Sequence, residues 1–252
     1  LAGERLMRRI KTVETHYQSL EVWKSLKTTE FRVQGAVHAW HHQYRFLTGQ
    51  AWDMIAASAL LRETSEPPSS ILMLGLAGGT AFRVLRHLLP DCQLVAVDID
   101  REIVDLARDE MALDELGIEV ITGDAYPWLA KNRRTFDVVI DDIYLAGKTD
   151  VFRPASWDPK LMDHLKRAVA LGGVLAVNLV IGEGHRCMQS QTRSELRASF
   201  PVVRTLRTPE AMNEVLIAGD HVATRRRLDR YQSVFADKRD RRYWECLSVR
   251  KL

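Results

Sequence analysis

A wholly apolar run, ILML at 71–74, ends in a glycine and leads straight into an amphipathic helical pattern. The same strand-then-helix reading recurs down the chain. Further strand-like runs are QLVAVD, IEVIT, FDVVID and VLAVNLV, with VVRTLR and NEVLIAG closing the series. Helical stretches lie between them: TAFRVLRHLL, REIVDLARDEMALDELG, PWLAKN, DPKLMDHLKRAVALGG and RCMQSQTRSELRASF. Strands that are apolar throughout have both faces buried. Strands alternating with helices favour an α/β, doubly wound, mostly parallel sheet of seven strands.

What precedes that alternation reads differently. Residues 1–15 are basic and are expected to be loose. YQSLEVWKSL and EFRVQGAV, joined by the polar KTT, are β-prone and fit a hairpin or a small sheet. From Tyr44 to Leu61 the apolar spacing is helical. SEPPSS then breaks the chain, which gives an N-terminal β segment plus helix over 1–65 and a main domain over 66–219. Residues 220–252 form a basic C-terminal extension. Its arginines are interleaved with Asp229, Asp237 and Asp240, which favours a salt-bridged surface helix over phosphate binding. The net charge of +3 argues neither for nor against a nucleic-acid partner. Three scattered cysteines with no CxxC pair point to a reducing compartment, hence the cytoplasm, and to no structural zinc. No apolar run is long enough to span a membrane.

Glycines crowd the first strand-to-helix turn: Gly75, Gly78 and Gly79, with Ala77 among them. Sheets of this kind bind ligands beyond the carboxyl ends of their strands. Glycine there permits positive φ and close approach of a ligand, while the following helix offers free N–H groups. A tight turn with close helix–strand packing is the other reading. Asp98 ends the second strand, 23 residues after Gly75, where a carboxylate can accept both ribose hydroxyls; Ile99 follows it, and Asp100 is placed to cap the next helix. Asp124 and Ala125 end the third strand, within reach of an adenine amino group, and Asp124 serves equally as an N-cap. The run G-L-A-G-G-T is neither G-x-G-x-x-G nor a P-loop. A nucleoside without a pyrophosphate fits better, which points to S-adenosylmethionine or a relative.

These motifs resemble class I S-adenosylmethionine-dependent transferases and, within them, the spermidine synthase-like family, over roughly residues 17 to 218. ILMLGLAGGTAFRVL resembles the nucleotide loop, VAVDID the acidic strand end, GDAYPWL the adenine site and FDVVIDDIY the catalytic strand. The resemblance implies the Rossmann-like class I methyltransferase fold, a homodimer, and S-adenosylmethionine, its decarboxylated form or methylthioadenosine as ligand. It assigns Asp142 as the group that takes a proton from the acceptor. Tyr144 is a pocket wall or hydrogen-bond partner, and Asp141 faces the other side of the strand. His38, Asp53 and Asn178 are candidate substrate contacts. The departures weigh against aminopropyl transfer. Ala77 stands where aminopropyltransferases carry an Asp, and Leu145 where their second catalytic-loop Asp should be. A dicationic diamine needs several carboxylates to replace its water. The first expectation is therefore methyl transfer to a small molecule. The alternatives are polyamine aminopropyl transfer and a nucleoside-binding or partner domain without turnover.

Other constellations carry less. His38, His41 and His42 would share a face on a helix, but the stretch reads as a strand-to-helix junction and no metal is expected. Trp40, Trp52 and Tyr44 read as core or lid. His185 follows a Gly-flanked loop at 182–186 that, with the loop at 143–157, shapes the pocket.

Overall fold

The computed structural model describes residues 6–147, 150–154 and 159–252. Its first unit is an antiparallel meander of β1 (Arg8–Glu14), β2 (Ser19–Lys24), β3 (Thr28–Val33) and β4 (Ala36–His42). Leu20, Val22, Phe31, Val33 and Ala39 point inward from it, as period-two alternation requires. The basic start is thus ordered from Arg8 on, because β1 pairs along its length with β2. The three histidines lie on or at the end of a strand, not a helix. Among the described residues no cluster of His, Cys, Asp or Glu is placed to hold a metal ion.

Helix α1 (Ala51–Ser58) follows, shorter than the pattern from Tyr44 suggested. The missing turns have a long-range cause. Two buried carboxylates take main-chain N–H groups of this stretch, and those of Leu47, Thr48 and Gly49 are ones a helix from Tyr44 would use. Asp240 accepts from Phe46 and Leu47, and Asp53 accepts from Thr48 and Gly49. Side-chain acceptors compete with helical bonding in this way. Gly49 completes the turn at φ 80°.

The main sheet is built from β5 (Ser70–Leu74), β6 (Gln93–Asp98), β7 (Glu119–Thr122), β8 (Phe136–Asp141), β11 (Val169–Val180), β12 (Val202–Arg207), β13 (Asn213–Gly219) and β14 (Ser248–Lys251), with a two-residue ribbon of β9 (Leu145–Ala146) and β10 (Val151–Phe152) outside it. The spatial order is β14-β12-β13-β11-β8-β5-β6-β7. β5, β6, β7, β8 and β11 are parallel, and β13 runs against β11. Winding reverses between β5 and β8, where the chain leaves in one direction for β6 and later returns for β8. The fold is therefore the expected doubly wound α/β sheet with a small N-terminal β segment.

Alternation sorts the strand side chains between two cores. Ile71, Met73, Leu94, Ala96, Val138, Ile140, Val174 and Ala176 join α1, α2 (Thr80–Leu88), α3 (Arg101–Met111) and the meander on one face. Leu72, Leu74, Val95, Val97, Val139, Leu175 and Val177 meet α4 (Ala125–Lys131), α5 (Pro159–Ala168) and α6 (Arg186–Ser199) on the other. No helix among the described residues is long and apolar enough to cross a membrane.

An eighth strand joins the seven expected. β14 pairs with β12, so the C-terminal tail extends the sheet. The tail also fills the first core. Leu228, Phe235 and Trp244 are fully buried, Trp244 on α7 (Lys238–Glu245). The Arg-rich composition masked three core residues spaced too widely to read as one amphipathic face.

Gly78 marks where the meander meets the main sheet. A Cβ there would stand 2.4 Å from Ala39 Cβ and 3.2 Å from the Phe31 ring. Gly78→Ala is expected to lower stability by about 1–3 kcal/mol through overpacking. Adding Ala39→Gly should recover part of that loss in urea unfolding. A neutral Gly78→Ala would show that the two sheets do not meet tightly there.

Candidate active site

The carboxyl ends of β5, β6, β7 and β8 are laced together by main-chain bonds. Gly75 N–H donates to Val97 C=O (2.8 Å), Gly123 N–H to Asp98 C=O (2.8 Å) and Asp142 N–H to Leu74 C=O (2.9 Å). Above them lies a cavity of about 1070 Å³, roofed by the meander and by the segment leading into α1. Gly75, Ala77, Asp98, Ile99, Asp124, Ala125, Asp142, Tyr144, Asn178 and His38 all line it. Its volume suits a small-molecule site.

The glycines answer mainly to protein neighbours. A Cβ on Gly75 would lie 2.4 Å from the Asp142 carbonyl oxygen, and the residue has φ 97°. Gly78 is closed off by Ala39, as above. Gly79 takes φ 76° at the N-cap of α2, and a Cβ there would meet Leu113 at 2.7 Å. The first turn of α2 faces the meander: Thr80 Oγ1 accepts from Trp40 N–H (2.8 Å) and donates to Trp40 C=O (3.1 Å). Gly78 and Gly79 thus sit outside the cavity lining. The tight-packing reading accounts for both; of the loop it is Gly75, Leu76 and Ala77 that border the ligand space.

Asp98 buttresses that loop. Its Oδ2 accepts from Leu76 N–H (2.7 Å) and Ala77 N–H (3.0 Å), and its Oδ1 from Asp100 N–H (2.9 Å). Ala77 is held at φ 47°. A carboxylate has about four acceptor directions, so Asp98 has room for one hydroxyl rather than two. Asp100 caps α3 through Ile103 N–H and accepts from Thr15 Oγ1. Asp124 caps α4 through Tyr126 N–H (3.1 Å) at Oδ1. Capping and ligand contact are compatible there.

Among the described residues the Asp142 side chain, like that of Asp124, accepts one hydrogen bond, and Asp142 is the one at the β8 end of the cavity. Its Oδ1 accepts from Asn178 Nδ2 at 2.7 Å, and its Oδ2 meets no donor among the described residues. Burial pushes its pKa up to about 7; Asn178 pulls the other way, neighbouring Asp141 raises it further, and Arg153 lowers it. Asp141 points to the opposite face, as a regular strand requires. There it is fully buried and paired with Arg153 at 2.7 Å, which also reaches Tyr126 Oη at 3.1 Å. Neither Arg153 nor Tyr126 stood out in the sequence, because the pair is closed only by tertiary packing. Tyr144 is a wall: its hydroxyl donates to Asn178 C=O and accepts from Val180 N–H, both at 3.1 Å, while its ring borders the cavity.

Asp53 is not a cavity residue. It is buried, and its oxygens are taken by Thr48 N–H and Oγ1 and by Gly49 N–H. Burial raises its pKa to about 7 against those bonds. It shapes the wall rather than touching it. His38 borders the cavity, with its pKa lowered by burial. Trp40 and Trp52, read as core or lid, are half-buried and border it as well. His185 binds Asp150 at 3.0 Å, joining the 182–186 loop to the segment after β9; residues 148–149 and 155–157 of the expected 143–157 loop lie outside the described residues.

Comparison with known proteins follows the same outline. The spermine/spermidine synthase domain model matches residues 52–215. The chain belongs to the spermine/spermidine synthase family. A probable polyamine aminopropyl transferase of Bifidobacterium longum is 30% identical over 177 residues, covering 68% of this chain and 38% of that protein. An eEF1A lysine and N-terminal methyltransferase homolog of Drosophila melanogaster is 23% identical over 186 residues, covering 70% of this chain and 26% of that protein. The chain thus spans under two fifths of these relatives' length. A crystal structure of spermidine synthase in complex with the transition state analogue AdoDATO superposes with a TM-score of 0.70 at 14% identity, over 92% of this chain and 86% of that one. At that identity the likeness speaks for the fold.

The raised carboxyl of Asp142 has a consequence for stability. Its folded pKa lies above the unfolded value near 3.9, so its contribution is full below about pH 4 and is lost as pH rises through about 7. Asp142→Asn removes that loss. The variant's stability relative to the parent should therefore rise from about pH 4 to about pH 8 in urea unfolding. A difference that stays flat with pH would mean that Asp142 titrates as an ordinary carboxylate.

Proposed function

We propose that the protein is an S-adenosylmethionine-dependent transferase that methylates a small molecule, with Asp142 as the base. The observation that carries this is Asp142 itself. It sits beside the glycine loop with one oxygen held by Asn178, the other open to the cavity, and a pKa near 7. A base poised near neutrality suits proton removal from an amine or hydroxyl.

The residues present fit a sulfonium nucleoside. Asp98 retains room for a ribose hydroxyl, Asp124 has an oxygen to spare for an amino group, and Ile99 and Ala125 give apolar contact beside them. When bound, such a nucleoside supplies an electrophilic carbon on sulfur. The chain's own part is alignment and proton transfer. Asn178 fixes Asp142 Oδ1, and Oδ2 takes the acceptor's proton. Tyr144, Trp40, Trp52 and Leu47 wall the cavity against water.

Carboxylate supply separates methyl from aminopropyl transfer. Among the described residues six acidic side chains border the cavity: Glu30, Asp98, Asp100, Asp124, Asp142 and Asp150. Glu30 is paired with Arg32, Asp150 with His185, and Asp100 with Thr15 and its own helix. Asp98 and Asp124 belong to the nucleoside end. Among the described residues Asp142 alone is left for the acceptor, which suits one amine or hydroxyl better than a dication. Aminopropyl transfer is the second reading, supported by the family match and by relatives named for that activity.

Calorimetry with S-adenosylmethionine and its decarboxylated form decides between the two. Preference for S-adenosylmethionine, with labelled methyl passing to a small amine or alcohol, is expected. Preference for the decarboxylated form, with putrescine consumed, would overturn the assignment. Asp98→Ala should cost about 1–3 kcal/mol of cofactor affinity, since a charged acceptor is lost; unchanged affinity would remove Asp98 from the site. Asp142→Asn should spare cofactor binding and depress turnover at least tenfold, about 1.4 kcal/mol in the barrier.

A further inference from the structure

Asn213 opens β13 and pairs across the sheet with Val180 of β11. Its Nδ2 donates to Asn178 Oδ1 at 3.1 Å, and Asn178 Nδ2 donates to Asp142 Oδ1 at 2.7 Å. Side chains at the ends of three neighbouring strands thus form one directed chain of hydrogen bonds. Direction matters because an amide has a donor end and an acceptor end. Turned over, Asn178 would aim its carbonyl oxygen at Asp142, which would repel the ionised carboxylate and favour the neutral acid. Asn213 opposes that inversion by offering a donor on the far side.

The main chain around the relay is held independently. Tyr144 Oη bridges Asn178 C=O and Val180 N–H, and Ile181 N–H donates to Met212 C=O at 2.8 Å. Asn178 is buried, and both asparagines border the cavity at the Asp142 end. The orientations of the two amides, Asn178 and Asn213, are therefore the main freedom left in the unit, and the bond between them couples one to the other. Asn213 did not stand out in the sequence, since NEVLIAG reads simply as a strand.

We propose that Asn213 is a positioning residue that sets the amide of Asn178, so that Asp142 Oδ1 is held and Oδ2 is presented to the acceptor. This rests on reading Asp142 as the base. The other charged or titratable groups bearing on Asp142 are Asp141 and Arg153 on the opposite face, Asp98 at the end of β6, and Tyr144 beside it.

The test is a carbon NMR titration of the Asp142 carboxyl in the full chain with no acceptor present. Asn213→Asp is isosteric but accepts where Asn213 donates, so it draws Asn178 Nδ2 away from Asp142. The Asp142 midpoint should rise by roughly one unit, because a charge-assisted hydrogen bond is lost. Asn213→Ala, which adds no charge, should shift it in the same direction by less. In an Asn178→Leu background Asn213→Ala should not move the midpoint, and Asn213→Asp should move it by less than in the parent, the remainder being through-space repulsion by the new carboxylate. An equal shift in that background would mean that the new carboxylate acts directly through space, and the relay would be wrong. No shift in either single variant would be equally decisive against it. Dispersed amide spectra establish that each variant is folded. Because no substrate enters the measurement, a protein inactive on every acceptor tried would still report on the relay, so its failure is distinct from failure of the methyl-transfer assignment.

Discussion

Everything at the site depends on how closely β5 and β8 approach at their carboxyl ends. Asp142 N–H bonds to Leu74 C=O, and the Asp142 carbonyl presses into the space where a Gly75 side chain would be. That contact fixes the direction in which the chain leaves β8. Asp141 is turned down into the second core, and Asp142 up beside the glycine loop. Adjacent carboxylates on one strand end thereby acquire opposite environments. Asp141 has a buried guanidinium within 2.7 Å, whereas Asp142 has one amide and an open cavity. Removing only Arg153 would leave a buried charge uncompensated, a change that generally costs several kcal/mol.

The sheet was legible because its strands are short, apolar and bounded by glycine or aspartate, and the strand-end carboxylates stood out for the same reason. What the glycines are for was less so. Gly78 and Gly79 are needed by Ala39 and Leu113, residues brought near only when the meander and the segment after α3 have folded against the loop. Local sequence shows that a Cβ is missing but not what would have collided with it. The stretch after Tyr44 illustrates the same limit. Its apolar spacing is helical, yet Asp240, 193 residues from Leu47, takes a helix-forming N–H away. Asp53, five residues on from Thr48, takes others. A carboxylate that looked like a substrate contact is instead part of the scaffold.

The C-terminal tail follows from the same physics. Its charges made it read as a solvated surface, and many of them are exposed. Yet Asp240 is buried and holds Phe46 and Leu47, while Phe235 and Trp244 pack together with ring centroids 5.2 Å apart. Arg225 spans the tail, donating to Leu247 C=O and pairing with Asp229. The tail therefore fixes the stretch from Arg45 to Gln50 that forms part of the cavity wall, and Arg239 of α7 borders the cavity directly. Composition alone separates such a segment from the domain it completes.

What distinguishes this cavity is the amount of acceptor capacity already spent. A carboxylate that accepts two or three main-chain N–H groups is anionic in name but has few directions left for a ligand. Asp98 is in that state, and Asp100 is bound to a helix N-terminus and a threonine. A cavity bordered by six acidic side chains would look hospitable to a polycation from composition alone. Once each lone pair is followed to its partner, the end of the cavity at Asp142 retains, among the described residues, one open carboxylate oxygen flanked by amides and aromatic rings. On the methyl-transfer reading proposed above, selectivity would turn on desolvation: a second ammonium would shed its water without gaining a carboxylate partner among the described residues, a penalty that a neutral or singly charged acceptor escapes.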